Sequence, residues 1–334
     1  MPQRFGFRVL KRLGGGRFSD VYEVGDAQQP LSAKRYALKV VELDAERPPH
    51  NARNEVSIMG KLKIHKGEGY SVNVVKLLAE FTNPMEIGLM LPLYKAALHD
   101  VVSHHCRVRT RFNLDGSTSK VVRNELTVDD IRHLVVGLLD GLAFIHSCGI
   151  IHRDIHPSNI MFKDIDSLDP VIIDFGISYD EPDNNGLEAP ELKFTDIATG
   201  YYKAPELLLS VRNYGTGVDV WSMAIVMALL CSEGGTTPFD KDAAHSDLAL
   251  LSNIVRVFGS PPKDWEDCKG SRSFAAMNEH FFASEPLPID KVLPKVATVD
   301  KRMVKVFRGM TKYPSKERWS AIEARKGLID PEEH

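Results

Sequence analysis

The sequence has few cysteines and no apolar run long enough to span a membrane. Its 334 residues contain 4 cysteines without paired spacing, so we expect reduced thiols and a cytoplasmic and/or nuclear location. The longest apolar run, residues 220–231, is too short to cross a bilayer. Residues 1–13 lack the continuous apolar core of a signal peptide. We therefore expect no membrane partner.

The sequence also lacks an excess of either charge. Lys and Arg number 42 against 45 Asp and Glu, which gives a net charge of −3, so no basic field over the whole chain attracts nucleic acid. Three histidines and a cysteine lie within residues 99–106, but neighbouring side chains cannot all converge on one ion. We expect neither a nucleic-acid partner nor a metal at that cluster.

The first part of the chain has the periodicity of a sheet. Residues 5–43 alternate apolar and polar positions around a glycine-rich turn and predict three strands. A helix is predicted over 51–64, where apolar residues recur three apart. Two further strands, predicted at 74–81 and 87–94, complete a small antiparallel sheet.

The remainder of the chain has helical periodicity. Apolar residues recur every three or four positions in 127–147 and 217–230, which predicts two long helices. Residues 103–125 are basic, and we interpret them as a solvated insertion loop; the alternative is a docking surface for an acidic partner. Residues 232–300 are irregular and rich in proline, which predicts loops and short helices. The expected fold class is α+β.

A glycine-rich turn between the first two predicted strands is suited to holding phosphate. Backbone amides of glycines can approach a phosphate closely, because no side chain stands in the way. The turn consists of Gly14, Gly15, Gly16, Arg17, Phe18 and Ser19 and is followed by Val21. Taken alone, this pattern predicts a tight hairpin without a ligand equally well.

Five charged or polar residues along the chain suit phosphoryl transfer. Lys39, on the third predicted strand, can reach the phosphates of a nucleotide, and Glu55 on the following helix can hold it; taken alone, the two are more often a surface lysine and a surface acid. Asp154 of HRD can accept the proton of an incoming hydroxyl, while Asn159 and Asp174 offer the oxygen ligands that Mg²⁺ prefers. Their order, ahead of an APE triplet, predicts phosphoryl transfer from ATP with Mg²⁺.

From Phe5 to Ile329 the chain resembles the eukaryotic protein kinases. The matching motifs are the glycine-rich turn, the strand that carries Lys39, HRD at 152–154, DFG at 174–176 and APE at 204–206. The resemblance implies a bilobal fold and ATP-dependent transfer of phosphate to serine or threonine of a protein. The implied divisions of a 5–329 kinase domain are an N-lobe at 5–92, a hinge at 92–96 and a C-lobe at 97–329.

The resemblance also implies roles for individual residues. Val21 and Ala37 would enclose the adenine, and Leu91 would be the gatekeeper beside it. Leu93 and Tyr94 would belong to the hinge. Structural roles are implied for an ion pair of Glu206 with Arg318, for Asp219 beneath the HRD backbone, and for the stacked side chains of Met59, Leu77, His152 and Phe175.

Three segments resemble the cyclin-dependent kinases (CDKs) in particular. They are PPHNARNEVSIM at 48–59, TGYYKAPELLL at 199–209 and LLSNIVRVFGSPPKDW at 250–265. The resemblance favours a CDK-like member of the CMGC group of kinases, acting on a protein substrate.

His156 departs from the family pattern, which has a lysine there that steadies the γ-phosphate. A neutral imidazole donates one hydrogen bond and brings little charge near pH 7. We predict an active enzyme with an altered pH dependence, in which His156 belongs to the catalytic residues. The alternatives are an outward-turned His156 and a catalytically weak pseudokinase scaffold.

The sites at which CDKs are regulated by phosphorylation are also changed. Arg17 and Phe18 stand in place of the inhibitory threonine and tyrosine, so neither position offers a hydroxyl. Phe194 stands in place of the activating threonine, with Thr195 one residue displaced. Of the three arginines that hold such a phosphate, only Arg153 remains. We predict that an acid pairs with Arg153 instead; the candidates are Asp180, Glu188 and Glu191.

The surface that contacts cyclin in CDKs differs as well. Arg53 stands at an apolar contact position, which disfavours a cyclin partner, and we expect a monomer. Lys203 replaces an arginine that supports proline after the phosphoacceptor, which weakens the case for proline-directed specificity. Together the changes resemble the single-subunit CDK-activating kinases of fungi, so a CDK is the candidate substrate. A cyclin-bound CDK or another CMGC kinase is the alternative.

Overall fold

The computed structural model describes residues 3–27, 34–64, 71–112, 115, 117–181, 188–277 and 279–330. A six-stranded sheet and one helix form the first part of the chain, and helices dominate the rest. Three residues of the basic insert lie outside the described residues, as do residues 182–187 of the segment expected to supply an acid for Arg153.

An antiparallel sheet forms the N-terminal lobe, in the strand order β1-β2-β3-β4-β6-β5. Its strands are β1 (Gln3–Arg4), β2 (Phe7–Gly15), β3 (Ser19–Asp26), β4 (Tyr36–Glu42), β5 (Ala79–Thr82) and β6 (Glu86–Pro92). Val21 is paired with Lys39, and Ala37 with Leu91. Because paired residues and alternate residues share a face, these four side chains lie on one side of the sheet.

The strand predicted at 74–81 is only partly correct. Residues 74–78 are not a strand; β5 pairs with β6 over Ala79–Thr82, and the Leu78 N–H before it donates to the carbonyl of Met90 at 2.9 Å. The Val75 N–H donates to the carbonyl of Ile172 at 2.9 Å. The apolar run therefore begins with a connection to the C-terminal lobe, where its backbone finds partners outside the sheet.

The helix predicted over 51–64 is confirmed as α1 (Ala52–Ile64). Asn51 precedes it and accepts the Asn54 N–H on its side-chain oxygen at 2.8 Å, as a helix-capping residue does. The buried face of α1 includes Glu55, so the helix carries a carboxylate into the interior.

Helices build the C-terminal lobe. They are α2 (Leu98–His104), α3 (Val128–Ser147), α4 (Pro205–Leu208), α5 (Gly217–Leu230), α6 (Asp247–Phe258), α7 (Arg272–Ala275), α8 (Ile289–Val292), α9 (Lys301–Met310) and α10 (Ala321–Ile329). The two long helices predicted at 127–147 and 217–230 are confirmed. Thr127 and Asp130 cap α3 reciprocally, because each side chain accepts the N–H of the other at 3.1 and 2.8 Å.

The basic insert is not the loop expected from its sequence. β8 (Cys106–Phe112) and β9 (Thr118–Asn124) form an antiparallel two-stranded sheet. In β8, arginines alternate with Val108, Thr110 and Phe112, which is the period of two that is typical of a strand. Residues 232–300 are also more regular than predicted, since α6 runs for 12 residues.

Short strands hold the loops that carry HRD and DFG. β10 (Ile150–Ile151) pairs with β13 (Tyr179–Asp180), and β11 (Ile160–Phe162) pairs with β12 (Val171–Ile172) and β7 (Ala96–Ala97). Asp154 and Asn159 lie between β10 and β11, and Asp174 follows β12. These pairings bring the HRD and DFG loops side by side.

The four cysteines form no disulfide. Burial raises the pKa of the Cys231 thiol above its ordinary value. Within the described parts of the chain, no helix is both long and apolar enough to cross a bilayer. The same residues contain no group of three or more His, Cys, Asp or Glu side chains arranged to hold a metal ion.

Candidate active site

A cleft of about 980 Å³ is lined by residues of both lobes. The residues predicted to bind the nucleotide all line it: Gly14, Gly15, Gly16, Arg17, Phe18, Ser19, Val21, Ala37, Lys39, Leu91, Leu93 and Tyr94. The residues predicted to be catalytic line it too: Lys39, Glu55, Asp154, His156, Asn159 and Asp174. Residues from distant parts of the chain therefore meet in one cleft.

Lys39 lies at the centre of a charge cluster, in which Lys39 and Glu55 are buried and Asp174 is partly exposed. Its Nζ is 2.7 and 2.9 Å from the two carboxylate oxygens of Glu55 and 2.8 Å from Oδ1 of Asp174. Burial acts to lower the pKa of Lys39, but the charges of Asp174 and Glu55 outweigh it and raise this pKa above its ordinary value. The lysine is therefore a fixed cation at the edge of the cleft.

Asp174 has a backbone conformation that is rare for a residue with a side chain, with φ at 68°. Its Oδ1 accepts the Gly176 N–H at 3.1 Å, in addition to the contact with Lys39. Burial acts to raise the pKa of Asp174, but Lys39 holds it well below its ordinary value. The carboxylate is therefore ionised.

Asp154 is held on both carboxylate oxygens. Thr199 Oγ1 donates to Oδ1 at 2.8 Å, and Asn159 Nδ2 donates to Oδ2 at 3.0 Å. Burial acts to raise the pKa of Asp154, but the hydrogen bonds from His156 and Thr199 lower it below its ordinary value. An ionised, oriented carboxylate in a cleft can accept a proton from a hydroxyl.

His156 faces this carboxylate. Its Nε2 is 3.3 Å from Oδ2 of Asp154, and only 13% of its side chain is exposed. Nδ1 accepts the Ser158 N–H at 3.3 Å, which assigns the proton of a neutral ring to Nε2. Nε2–H therefore donates to Asp154, and the alternative of an outward-turned His156 is wrong.

Asp219 of α5 holds the HRD backbone, as expected. Its carboxylate accepts the N–H groups of His152 and Arg153 at 2.8 and 2.7 Å. Arg153 has a φ of 72°, in the left-handed region. Two charge-assisted hydrogen bonds offset the cost of that backbone conformation and fix the loop that carries Asp154.

The family follows from comparison with known proteins. A model of the protein kinase domain matches residues 7–327. The chain belongs to the protein kinase family. Serine/threonine-protein kinase CAK1 of Saccharomyces cerevisiae is 30% identical, over 89% of this chain and 93% of its own length.

Two CDKs are also similar to this kinase. Cyclin-dependent kinase 20 of Danio rerio is 27% identical over 97% of this chain and 82% of its own length. Cyclin-dependent kinase 7 of Caenorhabditis elegans is 26% identical over 83% of this chain and 77% of its own length. The chain is a CDK-like serine/threonine protein kinase with the bilobal kinase fold.

In this kinase, a carboxylate pairs with Arg153, the one that remains of the three arginines that hold the activating phosphate in CDKs. Glu188 accepts from Nη1 and Nη2 of Arg153 at 2.7 and 2.9 Å. The guanidinium also stacks over Tyr179, 4.7 Å from the ring centroid. Glu188 accepts the Phe194 N–H as well, at 2.8 Å. The predicted pairing of Arg153 with an acid is confirmed, and that acid is Glu188.

The other two candidate acids have different surroundings. Asp180 accepts a hydrogen bond from Lys61 of α1 at 2.6 Å, and Glu191 is exposed. Asn54, which by resemblance to CDKs stands in place of one of the two missing arginines, donates to the carbonyl of Ser178 at 3.0 Å. These contacts join α1 to the segment after DFG.

The peptide-binding side of the kinase contains the expected buried ion pair. Arg318 contacts the two carboxylate oxygens of Glu206 at 2.6 and 3.0 Å, and both side chains are buried. Arg318 also donates to the carbonyl of Gly217 at 2.9 Å. Lys203 Nζ lies 3.2 Å from Asp247, so the residue in place of the family's arginine is tied to α6.

Two members of the expected stack, His152 and Phe175, lie side by side. The rings of His152 and Phe175 are 5.0 Å apart, Met59 lies in the same buried core, and Leu77 packs against that core. Burial lowers the pKa of His152, so the ring is neutral at physiological pH.

Two residues that line the cleft, Glu46 and His50, are not predicted from the sequence. Glu46 Oε1 accepts the Ala52 N–H at the start of α1 at 2.5 Å, and burial raises the pKa of Glu46. The ring of His50 packs on Phe18 of the glycine-rich turn, with centroids 4.8 Å apart. No motif marks either position, because both residues reach the cleft through the irregular path of the loop before α1.

Proposed function

We propose that this kinase phosphorylates the activation-segment threonine of CDKs and needs no activating phosphate of its own. The observation that carries the proposal is the bidentate contact of Glu188 with Arg153. A phosphothreonine would otherwise supply negative charge at that arginine, and a carboxylate of the chain supplies it permanently. The resemblance to the single-subunit CDK-activating kinases of fungi and the similarity to yeast CAK1 support a CDK as the substrate.

In this proposal Asp154 orients the substrate hydroxyl and accepts its proton. Its contacts with Thr199 and Asn159 direct the carboxylate and keep it ionised. Lys39, held by Glu55, binds the phosphates of ATP next to the glycine-rich turn. Because protein contacts fix these groups, they act by positioning and by neutralising charge.

Asn159 and Asp174 fit a Mg²⁺ ion carried by ATP. The amide nitrogen of Asn159 donates to Asp154, which leaves the amide oxygen for a cation. Asp174 is an ionised carboxylate lining the same cleft. Amide and carboxylate oxygens are ligands that Mg²⁺ accepts, and the ion would supply charge neutralisation at the phosphates.

We further propose that the kinase works as a monomer without cyclin, in the cytoplasm or the nucleus. Contacts within the chain support this, because the residue before α1 is bound to DFG itself and the last turn of α1 to the segment after DFG. The Asn51 N–H donates to the carbonyl of Gly176 at 3.0 Å, and Lys61 pairs with Asp180 at 2.6 Å. A helix held in this way does not require a partner protein to bring Glu55 to the lysine.

The test uses the full chain, produced in bacteria without another kinase or a cyclin. It is assayed with Mg²⁺ and ATP on an unphosphorylated CDK and on the same CDK with its activation threonine replaced by alanine. We expect phosphate on the first CDK only, and the same rate from a Thr195→Ala kinase. Phosphorylation of generic peptides but of neither CDK contradicts the proposal that a CDK is the substrate. Activity only after treatment by another kinase contradicts the proposal that no activating phosphate is needed.

A further inference from the structure

One face of the hairpin of β8 and β9 carries four arginines, together with Val121 and Ser119. Directly opposed residues of an antiparallel pair share a face, and the register places Arg107 opposite Arg123. Arg109 and Arg111 share that face, because alternate residues of a strand point the same way. We call these four residues the arginine face.

The other face of the hairpin, which we call the apolar face, is exposed; it carries Val108, Val122 and Phe112, with the pair Thr110 and Lys120 between them. Val108 lies opposite Val122, and the two side chains are 63% and 41% exposed. Phe112, at the end of the same row, is 80% exposed. A lone two-stranded hairpin is marginally stable in water, and three large apolar side chains exposed on one small face are typical of interaction surfaces.

The base of the hairpin is fixed to the C-terminal lobe. The buried side chain of Asn124 donates to the carbonyls of Leu230 and Ser232 at 2.9 and 3.2 Å. Lys295 donates to the Asn124 carbonyl at 2.6 Å, and the Asn124 N–H donates to the carbonyl of Glu233 at 2.6 Å. The hairpin is therefore held in place at its base, while its strands keep both faces in solvent.

The positive charge of the arginine face is only partly neutralised by its nearest carboxylate. Glu125 lies 3.4 Å from Arg107 and 3.7 Å from Arg109, so one carboxylate stands between two guanidinium groups. Arg107 and Arg123 are like charges on opposed positions, which destabilises a strand pair. Carboxylates of a partner would offset this repulsion through charge-assisted hydrogen bonds.

The hairpin is also close to the cleft. His99 and Asp100, at the start of α2, line the cleft, and β8 begins directly after that helix. At 1.5 Å per residue α2 spans about 10 Å, and each strand of the hairpin is about 24 Å long. A protein with a hydroxyl in the cleft would lie within reach of the hairpin.

We propose that the hairpin Cys106–Asn124 is a docking site for an acidic, extended segment of a protein substrate. β8 and β9 form a two-stranded sheet among the described residues, so an extended segment can pair along an edge. Alternating acidic and apolar side chains of that segment would then meet the arginine face and the apolar face together. The inference rests on protein kinase activity and on no particular substrate.

The test measures binding of a fluorescent peptide of alternating glutamate and valine to the full-length kinase by anisotropy. We expect binding that weakens with added salt and that falls by about tenfold or more in Arg109→Glu/Arg111→Glu. Val108→Thr/Val122→Thr should weaken it as well. The matched control is Lys305→Glu/Arg308→Glu on α9, two exposed positions that undergo the same change of charge; this variant should bind as the wild type does.

Three outcomes would overturn the proposal. They are no binding at low salt, an equal loss in the α9 control, and equally tight binding of a single-stranded oligonucleotide, which would point to nucleic acid. In kinase assays, Arg109→Glu/Arg111→Glu should leave kcat and KM for a short peptide substrate unchanged. Because the anisotropy assay contains no CDK, a failure of docking is distinguishable from a failure of CDKs as substrates.

Discussion

Both carboxylate oxygens of Glu188 accept hydrogen bonds from the guanidinium of Arg153, at 2.7 and 2.9 Å. The Arg153 side chain is 0% exposed and that of Glu188 9%. A guanidinium buried to this extent needs a counter-charge. Since Glu188 also accepts the Phe194 N–H, a single side chain joins the catalytic loop to the activation segment.

Removal of this carboxylate should weaken both the fold and the catalysis. Glu188→Ala leaves the buried Arg153 without its carboxylate, and breaking such a pair costs about 3–5 kcal/mol of stability. Displacement of the catalytic loop should lower kcat by about a hundredfold. Calorimetric Tm and kcat on a peptide substrate measure the two effects.

The control for that change is Glu191→Ala, because Glu191 is an exposed acid of the same segment. It should leave both Tm and kcat at the wild-type values. If Glu188→Ala lowers Tm but keeps a wild-type kcat at a temperature where it is folded, Glu188 stabilises the kinase without supporting its active form.

His156 should contribute to catalysis through Asp154. His156→Ala removes the Nε2–H donor 3.3 Å from Oδ2 of Asp154, and loss of one hydrogen bond to a charged group should lower kcat by about tenfold. His156→Lys should keep or raise kcat, because an ammonium group can donate to the same carboxylate. Steady-state kinetics on a peptide substrate decide this, and an equal kcat for wild type and His156→Ala removes His156 from the mechanism.

If Asn159 is a Mg²⁺ ligand, its removal should change the Mg²⁺ requirement of the kinase, and this effect can be measured separately from kcat. Chelation of Mg²⁺ should abolish phosphate transfer reversibly, and Asn159→Ala should raise the Mg²⁺ concentration needed for half-maximal rate by about tenfold. Ser158→Ala, at a neighbouring cleft position, is the control and should leave this concentration unchanged. A lower kcat in Asn159→Ala with an unchanged Mg²⁺ requirement would mean that Asn159 acts only through Asp154.

Much of the cleft could be predicted from sequence, because its chemistry restricts residue types and local turns set the spacing. Asp154 and Asn159 lie within one loop, and their contact follows from that short separation. The pairing of Lys39 with Glu55 crosses from β4 to α1, and it is predicted because a lysine that binds phosphates needs an anion to hold its position. Periodicity alone would have left these two residues as an ordinary surface pair.

Other contacts and elements depend on the path of the folded chain, and no sequence motif predicts them. Three acids were candidates for Arg153, and only the folded segment brings Glu188 to it. The charge of residues 103–125 predicts a solvated loop, whereas the backbone there pairs as a hairpin. The apolar run at 74–81 predicts one strand, but the hydrogen bond from Val75 to Ile172 shows that its first half contacts the C-terminal lobe.

Asp300 connects two helices of the C-terminal lobe and should make stability depend on pH. Its Oδ1 accepts the Met303 N–H at 3.0 Å at the start of α9, and its Oδ2 accepts from Nε of Arg132 of α3 at 3.0 Å. Burial acts to raise the pKa of Asp300, but these hydrogen bonds lower it below its ordinary value. Because the folded pKa lies below the unfolded one, the ionised group stabilises the fold at neutral pH.

Asp300→Asn should therefore lower stability at pH 7 by about 2 kcal/mol, the contribution of hydrogen bonds to a charged group. The deficit should shrink as the pH falls below about 4, since the wild-type carboxyl then becomes protonated and loses the same advantage. Calorimetric Tm of both proteins from neutral to acid pH measures this, with the exposed Asp290→Asn as the control. A deficit that is constant across this range would mean that the shape of the Asp300 side chain, and not its charge, holds α9 to α3.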